Sequence, residues 1–123
     1  MQNPLTLPIS CDSFAAIERL LREQAEAASV PRRDEQRLLL AADEIWRRLF
    51  EPTAEAVEPA PEVEVCVDCG AQNFSVHITD DFDEDAWALE EGPTLDFVRA
   101  CVDEMSFDED VLGGRCVSLR VRW

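Results

Sequence analysis

The chain has 123 residues, with eleven arginines and no lysine against 27 acidic residues, for a formal net charge of -16. That sign repels a phosphate backbone, and the missing lysine removes the cation of a Walker loop and any Schiff-base chemistry. One globular domain over residues 1–123 is expected, without a nucleic-acid partner. No membrane span is expected either, because no stretch approaches the roughly 18 consecutive apolar residues that a crossing needs. The opening MQNPLTLPIS has no basic-then-apolar leader, and five cysteines make an odd number outside any disulfide scaffold. Reduced thiols and a cytoplasmic location are therefore predicted.

Leu5, Leu7 and Ile9 alternate with Thr6 and Pro8, which predicts a first strand, and Pro8 suits an edge or a strand end. Asp12 or Ser13 then caps a helix whose stripe is Phe14, Ile17, Leu21 and Ala25, running to about Ser29 before Val30 and Pro31 break it. The strongest periodicity follows, from Asp34 to Phe50. Leu38 or Leu39, Ala42, Ile45 or Trp46 and Leu49 line one side of a helix. Arg37, Ala41, Glu44 and Arg48 form a second line a quarter-turn away, with Glu44 preceding Arg48 in the favourable order for a helix ion pair.

Glu51 to Pro61 carries three prolines and three glutamates and reads as an extended connector. Val63, Val65 and Val67, a turn over Gly70 to Asn73, and Phe74, Val76 and Ile78 predict an antiparallel hairpin with one apolar face. Asp80 to Gly92 holds seven acidic residues and no basic one, as an exposed loop would. Pro93 opens a third helix with the stripe Leu95, Val98, Val102 and Met105. A short acidic loop and Gly113–Gly114 then lead into a closing strand on Val117, Leu119, Val121 and Trp123. The expected order is β-α-α-β-β-α-β.

Cys66 and Cys69 have the C-x2-C spacing of half a zinc site or a redox pair, which keeps a metal or redox switch open as a reading. His77 is the nearby further ligand, and alternation sends the two cysteines to opposite faces of a strand, so they read as small hydrophobes and no metal is assigned. His77 itself reads as a surface histidine, since sequence places no serine or cysteine partner beside it. The acidic loop lacks the ligand order of a calcium-binding loop.

In this order the chain resembles the anti-sigma-factor serine kinases, short members of the gyrase, Hsp90, histidine-kinase and MutL ATPase superfamily. The carrying segments are Gly92 to Trp123, GPTLDFVRACVDEMSFDEDVLGGRCVSLRVRW, then Leu38 to Phe50, LLLAADEIWRRLF, and Val76 to Asp85, VHITDDFDED. The resemblance implies an α+β two-layer sandwich of the histidine-kinase-like ATPase fold, a four-stranded mixed sheet with three helices on one face. It implies an ATP pocket between the layers, in which Glu44 is the acidic catalytic residue and Asp80 reads the adenine amino group. Against that pattern, Arg48 stands where an asparagine should hold magnesium. Phe82 replaces a glycine, and Gly92, Pro93 and Thr94 lack the second glycine of the phosphate loop, with Pro93 also lacking an N–H.

These departures predict a catalytically degenerate regulator with no cofactor, which acts by protein–protein binding in a bacterial partner-switching pathway. Arg48 is then expected to close the vacated pocket by pairing with Glu44 and Asp80. The alternative is an active protein-serine kinase that uses ATP and magnesium with Glu44 as base. The partner implied is a sigma factor, an antagonist domain or a phosphatase, with a second copy of the chain a further candidate. The contact surface is expected at the arginine-rich first half, on Arg19, Arg22, Arg32, Arg33 and Arg37, since arginine is enriched in interface cores.

Overall fold

The computed structural model describes residues 4–10, 12–50, 62–80, 93–109 and 115–123. Strand β1 (Leu5–Pro8) is followed by helices α1 (Phe14–Ala27) and α2 (Arg32–Ile45), and α2 continues into a π-helical turn over Trp46–Phe50. The hairpin β2 (Glu62–Cys69) and β3 (Asn73–Asp80), helix α3 (Pro93–Cys101) and the hairpin β4 (Glu104–Glu109) and β5 (Arg115–Arg122) complete the chain.

Local chemistry sets the helix ends. Ser29 adopts φ 56°, the left-handed conformation usually left to glycine, and this lets the Val30 N–H reach Ala25 O at 2.9 Å and close α1. Pro31 precedes α2 in an extended conformation, and Asp34 and Glu35 in the first turn face the positive end of the helix dipole. The helix therefore begins two residues before the predicted Asp34.

The five strands form one sheet in the order β1-β2-β3-β5-β4, and every neighbouring pair is antiparallel. The expected four-stranded mixed sheet is corrected on both counts by β4. The third helix stops at Cys101, so Met105 lies on a strand instead of a helical stripe. Across the sheet, Val67, Val76, Leu119 and Met105 stand in one row and Val65, Ile78, Val117 and Phe107 in the next, so these side chains share a face. That face meets Ile17, Leu21 and Ala25 of α1, Leu38, Ala42 and Ile45 of α2 and Val98 of α3 in one buried cluster. Helix α1 packs over β2, and α2 lies over β5 with α3 beside it.

The other face is polar, with Cys66, His77, Ser118 and Ser106 in register and Asp68, Ser75, Arg120 and Glu104 in the adjoining row. Among the described residues no helix is long and apolar enough to cross a membrane.

Candidate functional site

Glu44 lies on the side of α2 that borders α3, and Arg48 follows it in the π turn. Arg48 Nε donates to Glu44 Oε1 at 3.2 Å, and the Arg48 side chain is 65% exposed against 24% for Glu44. Arg48 thus forms a surface helix pair and does not seal a buried pocket, because a side chain that wet has little surface to cover. Glu44 also faces Cys101. Burial pushes the Cys101 thiol up, Arg37 opposes that rise, and the Glu44 carboxylate adds to it.

Arg48→Ala is accordingly expected to cost less than about 0.5 kcal/mol, the range of an exposed i,i+4 pair. Urea denaturation of the two proteins measures it, and a loss above about 1.5 kcal/mol would return Arg48 to a buried role.

Asp80 ends β3 opposite Val63 and Arg115, and it is buried on the helix-facing side of the sheet. The two carboxylates that the resemblance needs therefore stand on facing layers, Glu44 on the helices and Asp80 on the sheet. Phe82 and Gly92 lie outside the described residues, as does the side chain of Thr94, which follows Pro93 in the first turn of α3. A magnesium ion wants several oxygen ligands near 2.1 Å, and a guanidinium has none to give. The Glu44–Arg48 pair does not fit that ion.

The arginines divide by environment. Arg37 is tied inward. Its NH1 donates to Asp34 Oδ1 at 2.7 Å, Nε to Cys101 O at 2.9 Å and NH2 to Asp103 Oδ2 at 2.9 Å, which pins the start of α2 to the α3–β4 corner. Sequence offered no signal for the last two anchors, since Cys101 and Asp103 lie more than sixty residues away. Arg22 pairs with Glu18 along α1, and Arg33 stands 3.7 Å from Asp34 and is mostly exposed. Arg19 is exposed on α1. Arg22 also lines an open groove of about 470 Å³ between α1 and α2, together with Phe14, Gln36, Leu39, Leu40 and Asp43. Leu40 is among the large apolar side chains most exposed to water in the described chain.

Among the described residues no group of three or more His, Cys, Asp or Glu side chains comes together to hold a metal. Burial pushes the Cys66 thiol up, and the Glu64 and Asp68 carboxylates push it further, which keeps it protonated and poorly nucleophilic. Cys69 is raised in the same way by burial and then by Asp68.

No protein-family model and no curated protein matches the chain. Among solved structures it is similar to the crystal structure of the RsbU and RsbW domains of Rv1364c from Mycobacterium tuberculosis, at 18% identity and a TM-score of 0.67. The match covers 98% of this chain and 32% of that one, so the chain spans about a third of the length of the solved protein. At that identity the likeness establishes the fold alone, a two-layer α+β sandwich, here with a five-stranded antiparallel sheet.

Proposed function

We propose that the chain is a catalytically degenerate relative of the anti-sigma-factor serine kinases, a cytoplasmic module that regulates by binding proteins in a bacterial partner-switching or signalling pathway. The observation that carries this reading is the Glu44–Arg48 ion pair. Where the resemblance calls for a magnesium ligand beside the carboxylate, a permanent cation with no oxygen to offer stands instead. The likeness to a structure of RsbU and RsbW domains supports the same regulatory setting at the level of the fold.

The surface that fits a protein partner is the groove between α1 and α2, where exposed Leu40 offers an apolar anchor flanked by the Glu18–Arg22 and Asp43–Arg47 pairs. Arg19 and Arg22 extend it along α1. Arg37 contributes from inside by fixing the helix. The client class is a sigma factor, an antagonist domain or a phosphatase, with self-association as a further mode.

A second reading, an active serine kinase with Glu44 as base and ATP with magnesium as cofactors, is favoured by one observation. Glu44 and the buried Asp80 are both retained on facing layers. Thermal melting separates the two readings. A nucleotide present at about 100 times its dissociation constant adds roughly 2.7 kcal/mol, a rise on the order of 10 °C for a chain this size. The expected result is no rise with millimolar Mg-ATP beyond that with magnesium alone, and a clear rise would overturn the degenerate reading.

A further inference from the structure

His77 is the single histidine of the chain, and β3 carries it on the helix-free face of the sheet between β2 and β5. Both ring nitrogens are engaged. Nδ1 lies 2.7 Å from Ser118 Oγ, and Nε2 lies 2.9 Å from Asp68 Oδ2, with Ser75 Oγ at 3.4 Å. A carboxylate can only accept, so in the neutral ring Nε2 carries the proton and Nδ1 presents its lone pair to the Ser118 hydroxyl. This is the order of groups that activates a serine: hydroxyl, base, and a carboxylate that holds the base in one tautomer.

His77 and Ser118 border a groove of about 410 Å³ on this face, within the roughly 300 to 1,000 Å³ of small-molecule sites, while Asp68 stands behind the ring, outside the groove lining. Arg120, two residues along β5 from Ser118, also lines it. Its NH1 is bonded to Glu104 at 3.2 Å, while its Nε–H is buried with no partner among the described residues. The guanidinium is nonetheless a permanent cation on the wall of the groove that holds the hydroxyl, and such a charge suits a negative oxygen.

We infer that Ser118 is a nucleophile for acyl transfer from small activated carboxylic esters, with His77 as its base, Asp68 orienting the ring and Arg120 supplying positive charge on the groove wall. Ser118 Oγ bonds to the carbonyl carbon as its proton passes to His77 Nδ1. The tetrahedral intermediate collapses, the bond to the leaving alkoxide breaks, and Nδ1 returns the proton to that oxygen. Water, deprotonated by the same nitrogen, then cleaves the seryl ester and regenerates the hydroxyl, so ester and water give acid and alcohol. This face is the reverse of the sheet from the helices that carry Glu44 and Arg48, so the inference stands apart from the proposed regulatory role.

The sheet supplies its own control. Ser106 sits directly across from Ser118 on β4, exposed and without a histidine beside it. Cleavage after arginine puts Ser118 in the peptide from Cys116 to Arg120 and Ser106 in the peptide from Ala100 to Arg115. The full chain treated with a fluorophosphonate probe and read by mass spectrometry is expected to label the first peptide at least tenfold faster than the second. Equal rates, or no label on Ser118, would overturn the assignment. His77→Gln should then lower the Ser118 labelling rate at least tenfold with the melting temperature kept, a general base being worth about 10²-fold or more. Labelling of that variant at the parent rate would remove His77 as the base. Should the variant fail to fold, the comparison of peptides in the parent protein decides alone. Hydrolysis of p-nitrophenyl acetate should fall at least tenfold in Ser118→Ala, and unchanged hydrolysis would also overturn the site.

Discussion

Trp46→Ala is expected to destabilise the protein by about 3 to 5 kcal/mol, the range for removing a large buried aromatic. The indole is fully buried where α1, the end of β1 and the π turn meet. It lies 5.4 Å from the Phe50 ring and 6.3 Å from that of Phe14, and its Nε1–H donates to Ser10 O at 3.1 Å. Alanine would leave a cavity under two rings and a carbonyl without its donor, two penalties that add. The urea midpoint should fall with the slope unchanged. Trp46→Phe should recover all but about 1 to 2 kcal/mol, because it refills most of the volume and forfeits the hydrogen bond. A loss below about 1.5 kcal/mol for the alanine variant would mean that the helices collapse onto the space.

Arg37→Ala comes next, at about 2 to 4 kcal/mol. Asp34 is fully buried, and Arg37 is its close cation, with one oxygen satisfied at 2.7 Å and the other without a partner among the described residues. Removing one member of a buried pair costs about 3 to 5 kcal/mol, reduced here because Arg37 keeps some contact with water. Adding Asp34→Asn to that variant should recover part of the loss, since a neutral amide strands no charge. Failure of the double variant to regain stability would show that the cost is lost packing of the arginine stem.

The same arginine shapes the acid limb of stability through Asp103. The Arg122 backbone N–H at 2.7 Å holds the Asp103 carboxyl below its ordinary value, burial opposes this, and the Arg37 guanidinium lowers it further. A depressed folded value means that the stabilisation is complete above the unfolded value near about 3.9 and is lost as pH falls through the folded one. Asp103→Asn should flatten the pH dependence of stability on that acid side only.

Elements with a single strong period were readable from sequence. The alternating valines of β2 and the stripes of α1 and α2 appear where local periodicity placed them, because each depends on neighbours two to four residues away. β4 was not. Val102 and Met105 happen to extend the three-and-four spacing of Leu95 and Val98, and this masked the two-residue alternation of Met105 and Phe107 among Glu104, Ser106 and Asp108. The helical bonding ends at Asp103, whose N–H bonds to Arg120 O in β5, a partner that no local pattern reveals. The polar chemistry follows the same rule. Sequence placed Glu44 four residues before Arg48 and found the pair, but Ser118 is 41 residues from His77, and their meeting depends on strand order.

The π turn over Trp46–Phe50 has a consequence for aligning this helix with others. Such a turn is the usual trace of a one-residue insertion in an α-helix. Deleting a residue there would restore α geometry and leave the residues beyond on their present faces, each one number lower. The inserted length begins between Glu44 and Arg48, so a count of four from the acidic residue can land one position early. The residue that corresponds to a magnesium-holding asparagine is then Arg48 or Leu49, and neither side chain carries an oxygen.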